Sequence, residues 1–306
     1  VRRGKMTSYW KCFLLILLVN YSCITKNKDQ NILYFSGRIA NAETDSIYLL
    51  LNNREKAFAL DFDGNFSDTV RLVDEGYKIL SIDRDEYTVY LVPEDSLVLN
   101  VDLNKIDTNF SFTGKGNKRN NYLIKKDFET DNFLADNTEL FQLNPQDFRT
   151  KITVFHKKII QELEKSDVNP IFIGKERKNL NYDYINLLYS YKDSYSYFHP
   201  ESTQLPINFL TELDKIDLDN DEDFRTFQSY RSLVLTNLQE KLYEGFSAEA
   251  LLDNIKSSSI KNGFLNSLIY ELDAKDPNSK AIYEAILKHC TYQPWLDEAK
   301  KRMQLK

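Results

Sequence analysis

The chain holds little cysteine, glycine, proline or histidine: 3, 9, 7 and 3 residues among 306. So few glycines and prolines exclude collagen-like and low-complexity architectures, and three cysteines exclude a disulfide scaffold. An excess of basic charge is missing too, with 40 Lys and Arg against 46 Asp and Glu and a net charge of −6. No basic field is left to hold a phosphate backbone, so nucleic acid is not an expected partner. Long apolar runs are also absent. The longest, Phe13 to Val19, is less than half of the about 20 residues a helix needs to cross a bilayer. What is present, 42% hydrophobic and 28% charged residues, is globular composition, and the length suggests about two domains.

Arg2, Arg3, Lys5 and Lys11 precede the apolar run, and Asn20-Tyr21-Ser22-Cys23 follows before the chain turns polar. This basic, apolar, small-residue order predicts a secretory signal over 1–22 and a linker over 23–31. Loss of that signal removes four basic and no acidic residues, leaving 36 basic against 46 acidic and a net charge of −10. Cys23 directly after Ser22 resembles the lipobox of bacterial lipoproteins, in which the cysteine becomes the lipid-modified N-terminus. Asn20 stands where that pattern prefers Leu, and ordinary signal cleavage near Ser22 is the alternative. A lipid anchor sets a protein on a membrane surface without spanning it. With Cys12 in the signal and Cys23 lipidated, Cys290 is left as a single thiol, so neither an intrachain disulfide nor a Cys-x-x-Cys pair is expected.

Over 32–116 apolar residues alternate, as in half-buried strands. Leu33, Phe35 and Ile39 share one face, as do Phe58, Leu60 and Phe62, then Phe66, Val70 and Leu72. Asp63-Gly64 marks a hairpin, and further strands are predicted at Ile47–Leu51, Tyr77–Ile82, Tyr87–Val92, Leu97–Val101 and Phe110–Thr113. About eight short strands at this spacing predict an antiparallel β-sandwich or barrel. Over 117–306 the period becomes helical. Phe148, Ile152, Phe155, Ile159 and Leu163 form one stripe behind Pro145, and Leu180, Tyr184, Leu187, Leu188 and Tyr191 form another. Gly263 is expected to break or bend a helix near Phe264. The fold class is therefore α+β, a β-domain followed by an irregular helical bundle.

No catalytic, cofactor or metal site emerges from the residues. His289 and Cys290 are neighbours that diverge by about 100° on a helix, and His156 and His199 have no ligand spacing. Asp217, Asp219, Asp221, Glu222 and Asp223 resemble a calcium loop until Glu222 and Gln228 fall where Gly and Glu are needed. They read instead as a helix start. Gly114-Lys115-Gly116 lacks the remainder of a P-loop. The dense aromatic stretch from Tyr182 to Phe198 follows the core stripe more than a ligand platform.

Gly37, Asp63-Gly64-Asn65-Phe66, Gly76-Tyr77, Pro93-Glu94-Asp95, Phe112-Thr113-Gly114-Lys115-Gly116 and Asn121-Tyr122-Leu123, in that order behind Cys23, resemble the N-terminal part of lipid-anchored, TlpA-like thiol:disulfide oxidoreductases of Gram-negative bacteria. In that family a β-rich domain and a helical region precede a thioredoxin-fold domain. Glu94 departs from the family's usual Gly, and Trp295 is followed by Leu296 where a redox motif would place Cys. The resemblance implies an exported, periplasmic or outer-membrane-associated lipoprotein. It also implies an accessory module whose partner is a thioredoxin domain that is truncated or separately encoded. Thiol exchange needs an attacking and a resolving thiol, so this chain alone is not expected to reduce disulfides. The alternative is a stand-alone surface lipoprotein that binds glycan or peptide.

Overall fold

A computed structural model describes residues 31–51, 54–135, 137–201 and 205–304. The expected signal and Cys23 lie outside the described residues. Eight strands form two four-stranded sheets: β1 (Ile32–Ala40), β2 (Ser46–Leu51), β3 (Arg54–Ala59), β4 (Asn65–Arg71), β5 (Gly76–Ile82), β6 (Asp85–Leu91), β7 (Ser96–Asp102) and β8 (Phe110–Lys115). One sheet runs β4-β1-β7-β8 and the other β3-β2-β5-β6. The result is a sandwich rather than a closed barrel.

Alternation puts Leu33, Phe35 and Ile39 of β1, Leu80 and Ile82 of β5, and Leu97, Leu99 and Val101 of β7 into one shared core. Each such side chain, fully buried, contributes about 1.5–3 kcal/mol, so the sandwich has a driving force that needs no disulfide. Phe35, Phe58 and Phe66 meet edge to face at its centre, with centroids 5.0 to 5.6 Å apart. Gly64, at φ 79°, supplies the left-handed residue of the expected turn between β3 and β4. One pairing differs from the antiparallel expectation. β1 and β7 run parallel, Phe35 opposite Leu97 and Gly37 opposite Leu99. A parallel pair needs a long crossover, and the chain between them provides it by building β2, β3, β5 and β6 of the second sheet and β4 of the first.

Ten helices follow among the described residues: α1 (Asn117–Leu134), α2 (Asn137–Gln142), α3 (Pro145–Lys165), α4 (Pro170–Phe198), α5 (Asp221–Thr226), α6 (Gln228–Tyr243), α7 (Ala248–Asn254), α8 (Ser258–Glu271), α9 (Ser279–His289) and α10 (Gln293–Gln304). Pro145 and Pro170 open α3 and α4, each behind an Asn whose side chain accepts first-turn N–H groups. Gly263 does not break its helix. It lies inside α8, where a Cβ would come within 2.6 Å of the Phe224 ring. The missing side chain is a packing requirement between α8 and α5. The real interruption falls earlier, at Ile255 to Ser257, where the Ser257 hydroxyl caps α8.

Helix α1 closes the open side of the sandwich. β6 and β8 are edge strands on that side, and unpaired edges invite pairing with other chains. Two consecutive side chains cover both. The Asn120 amide accepts from the Tyr90 N–H at 2.7 Å and donates to the Tyr90 carbonyl at 3.1 Å. The Asn121 amide does the same for Phe112, at 2.7 and 2.9 Å.

Candidate functional site

Helix α1 runs beside the β6 and β8 edges, and α4 meets it next to Tyr77 of β5. Between these elements the structure gathers charged groups that the sequence disperses. Tyr77 on β5 donates to Glu176 Oε2 on α4 at 2.5 Å. Lys126 on α1 donates to Glu176 Oε1 at 3.1 Å, and its Nζ lies 3.5 Å from Asp127 Oδ1. Glu176 is completely buried. An unpaired carboxylate there would be prohibitive, so the hydroxyl and the ammonium are structural necessities. Around the cluster, Lys175 pairs with Glu75 at 2.7 Å and reaches the Tyr90 hydroxyl at 3.0 Å, while the Tyr90 ring meets Phe172 edge to face.

Further along α4, Glu176, Asn179, Asp183 and Asn186 recur at steps of three and four, which places them on one face. The Ser229 hydroxyl of α6 donates to Asn179 Oδ1 at 2.5 Å. Asn186 donates to the Ser229 carbonyl at 2.8 Å. Asp183 is exposed to solvent, yet enclosure by protein pushes its carboxyl up to about 6, with Lys126 opposing and Glu176 and Asp127 adding to the rise.

The other groups titrate as their surroundings dictate. Burial raises Asp127, against the pull of Lys126 and of the Thr88 N–H that donates to it. Burial opposes the charge on Lys126, but Glu176, Asp127 and Asp183 outweigh it and raise the ammonium above the usual lysine value. Burial, then Glu176, drives the Tyr77 hydroxyl far above its ordinary range. At neutral pH, Tyr77 is therefore a neutral donor and Lys126 a fixed cation.

The residues singled out by sequence fall elsewhere. Cys290 is buried at the end of α9 with Sγ 3.7 Å from the Tyr292 carbonyl, while the His289 ring faces Asp253 at 3.4 Å, so the two neighbours do not form a couple. His156 stacks on Tyr184 and His199 hydrogen-bonds the Phe141 carbonyl at 3.1 Å. The acidic run is consumed by the chain itself. Asp219 accepts from the Lys256 and Ser257 N–H groups, each at 2.9 Å, Asp221 from the Ser257 hydroxyl at 2.7 Å, and Asp223 from Tyr182 at 2.7 Å and Lys178 at 2.6 Å. The turn at Gly114 to Gly116 already faces an anion, because the Asp95 carboxylate pairs there with Arg119. Of the aromatic stretch, Tyr182, Tyr189, Tyr191 and Tyr195 are core and Tyr197 is exposed.

Among the described residues no group of His, Cys, Asp or Glu has the spacing to hold a metal ion, and no helix is long and apolar enough to cross a membrane. Sequence reasoning missed the junction residues Tyr77, Lys126, Asp127, Glu176 and Asp183. The available signal was the polar stripe on α4, which by itself reads as a solvated face. Comparison of the chain with protein-family models, with curated proteins and with solved structures finds no match.

Proposed function

We propose that this protein is an exported, lipid-anchored accessory module of a TlpA-like thiol:disulfide oxidoreductase system, which holds or positions a thioredoxin-fold partner without performing thiol exchange itself. The observation that carries the reading is the architecture: a β-sandwich followed directly by a helical unit and tied to it through Tyr77, Lys126 and Glu176. A rigid joint of this kind suits a spacer that sets the distance and orientation of a partner. The only thiol beyond Cys23 in the sequence is Cys290, whose burial withholds it from attack on a disulfide.

The test is mass spectrometry of the mature protein from a Gram-negative host, with binding to a purified TlpA-like thioredoxin-fold domain. A diacylglyceryl mass on Cys23, its loss in Cys23→Ser, and saturable binding to that domain are expected. An unmodified Cys23 would remove the anchor, and no binding at high micromolar concentration would remove the partner.

A second reading, a surface lipoprotein that binds glycan or peptide, draws on the aromatic rings left exposed, Tyr34 and Tyr48 on the β-domain and Tyr197 on α4. It predicts a rise in the unfolding midpoint with a glycan or peptide ligand.

A further inference from the structure

Away from the edges that α1 covers, the sandwich has a second pair of edge strands, β3 of one sheet and β4 of the other. Alternation from the buried Phe58 turns Arg54 and Lys56 inward, and alternation from the buried Phe66 and Val70 does the same for Asp68. Between these two strands opens a cleft of about 210 Å³. Leu51 and Val70, both buried, give it an apolar floor, and Arg54, Glu55, Lys56 and Arg71 stand on its rim.

An unpaired edge invites strand addition, but this one has little backbone left to offer. The Ile39 N–H bonds to the Gly64 carbonyl, so by alternation Thr69 and Arg71 are the β4 residues whose backbone groups point away from β1. The Thr69 N–H is taken by Asp68 Oδ1 at 2.7 Å and the Arg71 carbonyl by the Arg54 guanidinium at 3.0 Å. Lys56 is occupied as well, with Nζ 2.5 Å from Asp68 Oδ2. Arg54 differs. It is exposed, no ion pair holds it among the described residues, and its bond to Arg71 uses one of five N–H donors. Around the cleft the cations Arg54, Lys56 and Arg71 meet the carboxylates Glu55 and Asp68, a local cationic excess in a chain of net charge −6.

The chemistry of a fitting ligand follows from the rim and the floor together. A guanidinium fork matches a carboxylate through two parallel N–H···O bonds. An inorganic anion gains nothing from Leu51 and Val70, whereas a carboxylate on an alkyl group buries that group against them. At about 30 Å³ per water the cleft has room for roughly seven waters, about the bulk of a five-carbon acid. We propose that the cleft between β3 and β4 binds a carboxylate carried on a short alkyl group, with Arg54 gripping the carboxylate and Leu51 and Val70 taking the alkyl part. The inference does not rest on export or on a redox partner.

The experiment titrates the full chain with sodium isovalerate. The controls, at equal ionic strength, are isovaleramide as the uncharged counterpart and sodium phosphate as an anion without an alkyl group. Readouts are the methyl resonances of Leu51 and Val70 and the Arg54 Nε–H resonance. Saturable shifts of all three with isovalerate only are expected, with affinity about tenfold lower in Arg54→Gln. An equal response to the amide or to phosphate, no saturation at high millimolar isovalerate, or undiminished affinity in Arg54→Gln would overturn the proposal. Should Arg54→Gln fold poorly, Arg54→Lys, which keeps the charge and loses the fork, and the wild-type comparison of isovalerate with its amide decide the matter. Parallel titrations with acetyl-Gly-Leu and its C-terminal amide distinguish the source: binding of the free peptide tighter than that of isovalerate marks a protein C-terminus, and weaker binding marks a free short-chain acid.

Discussion

Replacing Asp183 by Asn should stabilise the protein at pH 8 and leave it unchanged near pH 3.5. In the folded chain the carboxyl is raised from its ordinary 3.8 to about 6. The folded state therefore holds this proton more tightly than the unfolded state does. Below the unfolded value both states are protonated and nothing is lost. As pH rises from about 4 through 6, the folded state must give up a proton it prefers to keep, and stability falls by an amount that is complete above the folded value. At about 1.4 kcal/mol per pKa unit the gap amounts to roughly 3 kcal/mol. Asp183 is exposed to solvent, and water screens a group so placed, which reduces the expected effect to about 1–2 kcal/mol. Asn keeps the size and one acceptor oxygen of the native side chain, so the charge is the variable.

Urea unfolding of wild type and Asp183→Asn at both pH values measures this directly, and taking the difference between variants cancels every other titrating group. A gain of about 1–2 kcal/mol at pH 8 that vanishes at low pH is expected from the screened shift. A variant no more stable than wild type at pH 8, or one that gains equally at both pH values, would refute the electrostatic account of Asp183.

Lys126→Ala should cost about 3–5 kcal/mol, because it leaves the fully buried Glu176 charged with only Tyr77 beside it. Adding Glu176→Gln to that variant should recover part of the loss in the same unfolding assay. Asn120→Ala strips the partner from the Tyr90 N–H and should cost about 1–3 kcal/mol; with the edge of β6 uncovered, light scattering should also report concentration-dependent association. Gly263→Ala places a methyl against the Phe224 ring and should destabilise by about 1–3 kcal/mol. Phe224→Leu in the same chain should relieve part of that cost, whereas additive losses would show that the close approach is not the cause.

Those residues also separate what a sequence discloses from what it hides. Alternation at Leu33, Phe35 and Ile39 or a stripe at Phe148, Ile152 and Ile159 is a local pattern, because burial on one face repeats with the period of the element. Hence the strands at 47–51, 77–82 and 97–101, and the helices that carry the stripe behind Pro145 and the stripe from Leu180 to Tyr191, are legible. Gly263 misleads because its weak helix propensity is local, whereas its reason, the Phe224 ring, lies on another helix. The parallel β1–β7 pair is invisible for a similar reason, since nothing in either strand records which neighbour it takes. The junction is hidden most completely. Tyr77 and Glu176 are 99 positions apart and Lys126 and Glu176 are 50, and a Glu on a helix looks the same in sequence whether it faces water or a lysine.

That the hidden part is ionic follows from what the joint has to do. The apolar contacts between the sandwich and the helices, Tyr90 on Phe172 and Tyr77 near Phe227, supply burial that tolerates sliding, since dispersion and the hydrophobic effect have little directionality. Hydrogen bonds from Tyr77 and Lys126 to the two oxygens of one buried carboxylate tolerate almost none. In such a network the desolvation cost roughly cancels the attraction, so its contribution is geometric: it selects one placement of α4 over β5 and β6 from several of similar burial.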